Sequence, residues 1–340
     1  MIMERLPAIS RLRTIGLHLQ TRVPRATTMA PVRMSSSATP VISADKWWSQ
    51  HKRVKLLDGE MSYYDSDPKQ EKSKRTAVFL HGNPTSSYLW RHIIPRVEGI
   101  ARCLAPDLIG MGRSSKLDNC MYTYDDHYRY LSSWFESLNL KDKQITIVCH
   151  DWGSGLGLNW IYHNQAKVEG VVYFEGVLGV AKTLDRFPEV SRHIFGALRS
   201  EAGEEMVLKK NFFVERLLPG AVMRELDQVE MDVYREPFKE EGESRRPTLT
   251  WPRQIPFRDT GPQNVVEIVD TYTKWLSQSE NFPKLYIDGE PGFFSPGLRR
   301  STSGWPNQKV VKVKGLHFLQ EDSPIEIADA VRDFMLSISK

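Results

Sequence analysis

The sequence predicts an α/β fold, with a mostly parallel, doubly wound sheet and a helical cap inserted between two of its strands. From Trp47 onward, short runs rich in Val, Ile, Leu, Phe and Tyr alternate with stretches of helical pattern, the order expected of parallel strands joined by helices. Residues 180–258 break this alternation, because they are helical and charge-rich and contain no convincing strand. No apolar run approaches the roughly 20 residues that cross a bilayer, so we expect no membrane partner.

The elements behind this prediction are compact apolar strands and amphipathic helices. The predicted strands are residues 76–80, 102–107, 144–150, 168–174, 284–288 and 309–314. Helical patterns cover residues 153–164 and 324–338, the second with apolar residues at helical spacing. The resulting organisation is a flexible basic segment at 1–44, a core at 45–179, the cap at 180–258 and a second part of the core at 259–340.

The positive charge of the chain lies in its N-terminal segment. The formal net charge is +4, of which residues 1–44 contribute +5 and the remainder −1. A body without a basic excess predicts no nucleic-acid partner. The segment is rich in Arg, contains Ser and has one acid, Glu4, which is typical of a mitochondrial transit peptide; the alternatives are a disordered tail or a start at Met29 or Met34.

The three cysteines indicate a reducing compartment. Cys103, Cys120 and Cys149 are odd in number and lack the spacing of a zinc or redox site. We therefore expect the protein in the cytoplasm, or in the mitochondrion if the N-terminal segment is a transit peptide.

The stretch CHDWGSG at residues 149–155 joins a predicted strand to a predicted helix through a sharp turn. This is the context of a nucleophile elbow, but no G-x-S-x-G occurs in the chain and the nucleophile position holds Asp151. An ionised carboxylate can displace a leaving group from a saturated carbon, which forms an ester between enzyme and substrate. The alternative is an aspartate that only caps the following helix.

His317 is the candidate general base that would activate water to hydrolyse this ester. It follows the last predicted strand, late in the chain and after the nucleophile, which is the order found in hydrolases with such an elbow. A third residue, an acid, should hold the histidine tautomer. Glu175 follows one strand and Asp288 and Glu290 follow another, and chain order alone does not choose among them.

Two hydrogen-bond donors are candidates for stabilising the leaving group. Asn83 follows the first predicted strand in the turn His81-Gly82-Asn83-Pro84, and Trp152 follows the nucleophile. An amide N–H and an indole N–H converging near Asp151 would suit an anion such as a halide, which leaves without a proton. Taken singly, Asn83 could be a turn residue and Trp152 a packing residue.

The motifs HGNPTSSYLWR, PDLIGMGRS, HDWGSGLG and GLHFLQED together resemble the haloalkane dehalogenases of the α/β-hydrolase superfamily and the related Renilla-type luciferases. The resemblance covers nearly everything after about Trp48. It implies an α/β-hydrolase fold, no cofactor and no metal, and five functional residues: Asp151 as nucleophile, His317 as base, Glu175 as acid, and Asn83 with Trp152 as halide donors.

The resemblance leaves two activities open, because both use these five residues. Dehalogenation of a small apolar substrate under the cap, by a monomer, is the leading prediction, and oxygenation of coelenterazine is the alternative. Segments of the cap such as residues 203–208 and 211–215 are luciferase-like, whereas His193, Leu184 and Phe187 depart from the luciferase pattern. An epoxide hydrolase would need a pair of cap tyrosines, of which only Tyr234 is apparent, and a non-catalytic binding module would not need all five residues.

Several apolar residues are candidates to line the substrate pocket, although each could belong to the ordinary core. They are Phe212, Phe213, Leu217, Leu218, Phe293, Phe294 and Leu316.

Overall fold

The computed structural model describes residues 42–67, 75–138, 140, 144–187 and 189–338. The predictions made for residues 1–41, including the transit peptide, lie outside the described residues. None of the helices in the described ranges is long and apolar enough to span a membrane.

The described residues form an eight-stranded sheet in the order β1-β2-β4-β3-β5-β6-β7-β8. All neighbours from β4 to β8 in this order pair in parallel, and β2 is antiparallel to both β1 and β4. The strands are β1 His51–Leu56, β2 Gly59–Asp65, β3 Arg75–Leu80, β4 Arg102–Pro106, β5 Gln144–His150, β6 Val168–Phe174, β7 Lys284–Pro291 and β8 Gln308–Gly315.

The six predicted strands are all present, and the predicted fold class is confirmed. The antiparallel hairpin of β1 and β2 at the sheet edge was not predicted from the sequence. Its first strand, HKRVKL, buries only one residue fully, so it is too polar and charged for an apolar-run criterion. Central strands such as β5 are buried on both faces, and their continuous apolar runs are easier to recognise.

Helices cover the sheet and extend between β6 and β7. Flanking the strands are α1 Ala44–Trp48, α2 Ile94–Val97, α3 Tyr124–Ser137 and α4 Trp152–His163. Between β6 and β7 lie α5 Glu189–Arg199, α6 Leu218–Gly220, α7 Gln228–Arg235, α8 Arg246–Arg253 and α9 Gln263–Gln278, with π-helical turns at Glu204–Lys209 and Phe213–Leu217. The C-terminal helices are α10 Ser295–Ser301, α11 Leu319–Asp322 and α12 Pro324–Ser337.

Short 3₁₀ helices complete the described secondary structure. They are Ser87–Trp90, Gln165–Lys167, Leu184–Arg186, Glu236–Phe238 and Glu243–Arg245.

The helices between β6 and α9 have a small apolar cluster of their own. This cluster is separate from the main core and consists of Leu198, Val207, Leu208, Phe213 and Leu249. Among the described residues of this region, the only β contact is a single bridge between Ala181 and Phe257. Apolar burial therefore stabilises the region locally as well as against the sheet.

The parallel topology brings the candidate site together. Asp151, Glu175 and His317 follow the carboxyl ends of β5, β6 and β8, and Asn83 follows β3. Because parallel strands end at the same edge of a sheet, side chains that are far apart in the sequence meet there.

A buried ion pair joins the hairpin to the parallel part of the sheet, and we expect its loss to be costly. Arg102 on β4 makes a two-point contact with Asp65 on β2, at 2.9 and 2.7 Å, and both side chains are almost fully buried. Arg102→Ala should lower the free energy of unfolding by about 3 kcal/mol, because Asp65 keeps a buried charge without its main partner. Urea denaturation measures this change.

The matched control is Arg53→Ala, which removes an exposed partner of Glu60. It should change stability by less than about 1 kcal/mol. Equal effects of the two substitutions would contradict a structural role for the Arg102–Asp65 pair.

Candidate active site

Asp151 sits on a strained turn between β5 and α4. Its backbone is in the left-handed region, with φ of +50° and ψ of −130°. Neighbouring glycines permit this turn, because a Cβ on Gly153 would lie 2.3 Å from the Leu80 carbonyl and one on Gly82 would lie 2.2 Å from Asp151 Oδ1. The Asp151 side chain makes no capping bond to α4, so the interpretation of this residue as a helix cap is wrong.

The carboxylate of Asp151 is held between a backbone donor and a histidine. Oδ1 accepts a 2.7 Å hydrogen bond from the Asn83 backbone N–H, and Oδ2 lies 3.6 Å from His317 Nε2. Burial acts to raise the pKa of Asp151, but His317, with smaller contributions from His150 and the Trp152 backbone N–H, lowers it below its ordinary value. The carboxylate is therefore ionised at neutral pH and needs no base to activate it.

His317 lies between two carboxylates. Its Nε2 faces Asp151, and its Nδ1 lies 3.1 Å from Glu175 Oε2. Burial disfavours the imidazolium, yet the hydrogen bonds and charges of Asp151 and Glu175 outweigh it and raise the pKa of His317 to about 9. In the free protein at neutral pH the ring is therefore positively charged and paired on both sides.

Glu175 is fully buried and held by a cradle of backbone N–H groups. Phe293, Phe294 and Ser295, at the start of α10, donate to its two oxygens at 2.7 to 3.2 Å. These donors satisfy a carboxylate that would be costly to bury alone. The other sequence candidates lie elsewhere: Asp288 is paired with Arg299 at 2.7 Å, and Glu290 is exposed.

Asn83 and Trp152 are buried beside Asp151, each with an N–H that has no protein acceptor among the described residues. Asn83 Nδ2 donates one N–H to the Thr248 carbonyl at 3.2 Å, while its Oδ1 has no partner in the described chain. This contact orients the amide, and its second N–H stays available. The Trp152 ring stacks on Trp251 of α8, with the ring centroids 4.5 Å apart.

Two buried histidines support the backbone of the site, and neither role was predicted from the sequence. His150 Nε2 lies 2.8 Å from the His317 carbonyl, and His81 bridges the Gly82 carbonyl and the Leu108 N–H at 3.0 and 2.9 Å. Burial lowers the pKa of His150 to about 3 and that of His81 to about 4, so both are neutral. Their positions, next to Asp151 and inside the HGNP turn, were the available sequence signal.

Aromatic rings pack around His317. Phe294 and Phe293 make edge contacts with its ring at centroid distances of 5.6 and 6.2 Å, and Phe187 in turn contacts Phe294 at 5.9 Å. His193, the other notable position in this part of the chain, is exposed on α5 and its Nδ1 contacts the Glu189 carbonyl. Phe187 is therefore connected to the site through Phe294.

The remaining candidate pocket residues have other surroundings. Phe213 belongs to the separate cluster between β6 and α9, on which Phe212 and Leu217 pack, and Leu218 belongs to the main core. Leu316 is partly buried in the loop before His317. Within the described ranges, no group of three or more His, Cys, Asp or Glu side chains is arranged to hold a metal ion.

Comparison with known proteins gives two kinds of relative. A family model described as the α/β hydrolase fold matches residues 77–324. The chain is 46% identical over 300 residues to a coelenterazine h 2-monooxygenase of Renilla reniformis, covering 88% of this chain and 95% of that protein. It is 47% identical over 294 residues to a haloalkane dehalogenase of Sphingobium indicum, covering 85% and 96%.

Solved structures similar to this chain include several haloalkane dehalogenases. The crystal structure of one from Bradyrhizobium elkani is 33% identical with a TM-score of 0.77, covering 85% of this chain and 98% of the other. One from Agrobacterium tumefaciens is 33% identical with a TM-score of 0.76, covering 85% and 97%.

Because His317 lies between two carboxylates, we expect its pKa to change when one of them is removed. Asp151→Asn should lower the pKa of His317 from about 9, because the substitution removes one of the two charges that stabilise the imidazolium. NMR titration of protein labelled at its histidine side chains measures this change.

Asp288→Asn is the matched control, since it also removes a buried carboxylate but one that pairs with Arg299. It should leave the titration of His317 unchanged. A His317 pKa that stays near its original value in Asp151→Asn would show that the pairing does not hold in solution.

Proposed function

The chain belongs to the haloalkane dehalogenase and Renilla-type luciferase family of α/β hydrolases, and from this premise we propose that it is a hydrolytic haloalkane dehalogenase. The observation that carries the proposal is an ionised carboxylate at the nucleophile elbow, Asp151, with the His317–Glu175 pair beside it. Two N–H donors, from Asn83 and Trp152, lie in the same buried site.

In the first step, Asp151 displaces the halide. Oδ1 is held by the Asn83 backbone, so Oδ2 is the oxygen free to attack the halogen-bearing carbon. The new carbon–oxygen bond forms as the carbon–halogen bond breaks, and the electron pair of that bond leaves with the halide. The side-chain N–H groups of Asn83 and Trp152 stabilise the negative charge that develops on the leaving atom.

Ester formation prepares the histidine for the second step. Once alkylated, Asp151 carries no charge, and the imidazolium of His317 loses one of its two partners. The pKa of His317 then falls, so the ring can release its proton and act as a base near neutral pH. Glu175 keeps hold of Nδ1 throughout.

In the second step, His317 Nε2 takes a proton from water as the water oxygen attacks Cγ of the ester. Oδ1 becomes an oxyanion, stabilised by the Asn83 backbone N–H that already binds it. As the intermediate collapses, the alkyl–oxygen unit takes the proton from His317 Nε2 and leaves as the alcohol, and the second proton of the water returns His317 to its imidazolium form. Haloalkane and water thus give alcohol, halide and one proton, and Asp151 is restored as a carboxylate.

The substrate we propose is small and apolar, and residues 180–258 act as a cap over the site. The Phe294 ring borders His317 and Phe187 packs on Phe294, and apolar walls strengthen the charge interactions of the reaction by excluding water. We further propose a monomer that works in the cytoplasm, or in the mitochondrion if residues 1–44 are a transit peptide.

A coelenterazine monooxygenase is the second candidate, favoured by the 46% identity to the Renilla reniformis enzyme over nearly its whole length. An epoxide hydrolase has less support, because the hydroxyl of the cap tyrosine Tyr234 donates to Glu321. Light emission on addition of coelenterazine, without halide release from any haloalkane, would favour the second candidate over the first.

Asp151→Asn should stop halide release from bromo- and iodoalkanes. The amide is a poor nucleophile, and we expect a loss of about 1,000-fold or more, the scale seen when a nucleophile is removed. A halide assay on residues 45–340 measures it, with Asp288→Asn as the control that should keep its activity. Full activity of Asp151→Asn would exclude this residue as the nucleophile.

His317→Phe should separate the two steps. Ester formation does not need the histidine, whereas ester hydrolysis does, so one equivalent of halide should be released and then turnover should stop. Intact-mass spectrometry should find the alkyl group on Asp151. His193→Phe changes an exposed histidine of α5 and should turn over normally; absence of the adduct in His317→Phe would count against the ester mechanism.

A further inference from the structure

We propose that the cap positions the two halide donors and His317 through two separate sets of contacts, which we call anchors. This inference rests on the proposed dehalogenation. The donor anchor consists of Thr248 and Trp251 of α8, which contact the two halide donors. The histidine anchor consists of residues 221–224 and Asp322, which hold the loop that carries His317. None of these residues takes part in the chemistry itself; they are positioning residues.

The donor anchor contacts both Asn83 and Trp152. The Thr248 carbonyl accepts from Asn83 Nδ2 at 3.2 Å, and the Trp251 ring stacks on Trp152 with an interplanar angle of 22°. On its other face, Trp251 stacks on the buried ring of His127 at 4.2 Å. Trp152 is thus the last ring of a three-ring stack, and its N–H direction depends on α8.

Helix α8 is itself fixed to the core. Thr250 Oγ1 donates to the Met121 carbonyl at 2.7 Å, and the side chain of Gln254 accepts from the Tyr124 N–H at 3.1 Å. Helix α8 therefore connects the two donors to the core, and its position determines how Asn83 and Trp152 are oriented.

The histidine anchor binds the backbone on both sides of His317. The Ala221 carbonyl accepts from the N–H groups of His317 and Phe318 at 3.1 and 3.2 Å. The Asp322 carboxylate accepts from Met223 and Arg224 with one oxygen and from Leu316 with the other. One side chain therefore joins the cap segment to the histidine loop.

A buried ion cluster holds this segment in place. Arg224 binds Glu321 and Glu230, and Arg91 binds the same two carboxylates. Two positive and two negative charges balance, and the Arg91 and Glu321 side chains are each only 1% exposed. Such a cluster tolerates little displacement, because moving one member leaves another charge buried without a partner.

The anchors act on different chemical steps, so their loss should have different kinetic signatures. Asn83 and Trp152 are used when the carbon–halogen bond breaks, and His317 is used when the ester is hydrolysed. A displacement of about 1 Å in a reacting group can cost on the order of 100-fold in rate. The first anchor should therefore control halide release and the second should control the lifetime of the ester.

Asp322→Asn tests the histidine anchor. One carboxylate oxygen becomes an NH₂ group, which faces backbone N–H donors and cannot accept from them. With 1-bromobutane we expect first-turnover halide release within about 2-fold of the wild type, but ester hydrolysis slowed by about 10-fold or more, so that the adduct accumulates. Asp333→Asn, an exposed carboxylate on α12, is the control and should accumulate none.

Trp251→Leu tests the donor anchor. Loss of the stack should slow first-turnover halide release by about 10-fold, and more for 1-chlorobutane than for 1-bromobutane, because the poorer leaving group needs more stabilisation. No ester should accumulate. Trp275→Leu removes an indole that packs on Phe282, away from the site, and should leave the chloride-to-bromide ratio unchanged.

Conservative variants keep the test decisive if a protein fails to fold. Asp322→Glu retains the charge but displaces the loop, so ester hydrolysis should be slowed less than in Asp322→Asn. Trp251→Phe retains a smaller ring, so halide release should be slowed less than in Trp251→Leu. The two-anchor proposal would be overturned if the Asp322 and Trp251 variants slowed the same chemical step. It would also be overturned if the Asp322 variants accumulated no alkyl ester on Asp151. A wild-type protein without Asp151-dependent halide release would instead overturn the proposed function, and with it this inference.

Discussion

The pairing of one buried histidine with two buried carboxylates is the interaction on which the rest of the site depends. Asp151 and Glu175 raise the pKa of His317 to about 9, and His317 in turn lowers the pKa of Asp151. Neither carboxylate would be tolerated there alone, because a buried charge needs both a counter-charge and hydrogen-bond donors. The N–H cradle of Glu175 at the start of α10 and the Asn83 N–H on Asp151 supply those donors.

The sheet determines where this group can be assembled. Three parallel strands bring Asp151, Glu175 and His317 to one edge, and the sharp turn at Asp151 raises its side chain above that edge. Two neutral histidines support the same edge, His81 at the end of β3 and His150 at the end of β5, and each contacts a backbone carbonyl. Helix α8 contacts Asn83 and Trp152, and the Ala221 carbonyl accepts hydrogen bonds from the loop that carries His317.

Features of the fold and the site that are formed by neighbouring residues could be predicted from the sequence, whereas contacts between distant residues could not. The strand β5 and the elbow after it are continuous in the chain, so Asp151 was predicted from pattern alone, and His317 followed from chain order. Sequence order could not distinguish Glu175 from Asp288, because the choice depends on which carboxylate reaches Nδ1 of His317, and Glu175 lies 142 positions away in the chain. The resemblance to known enzymes supplied it.

Other features left no sequence signal that could have been used. The hairpin of β1 and β2 was missed because its first strand is mostly polar and partly exposed. The contacts of the Thr248 and Ala221 carbonyls involve backbone atoms, which every residue type has. The stack of His127, Trp251 and Trp152 joins three positions that are distant in the chain, and each residue type by itself predicts only ordinary packing.

The raised pKa of His317 also links folding to proton uptake. A histidine in the unfolded chain titrates near 6.5, whereas the folded site holds its proton up to about 9. Between those values folding binds a proton, so this group stabilises the protein fully below about pH 6.5 and loses its contribution as the pH rises through about 9. In the proposed mechanism, formation of the ester removes one of the two charges that hold this proton, so the ring releases the proton that folding had taken up and is neutral when water must be activated.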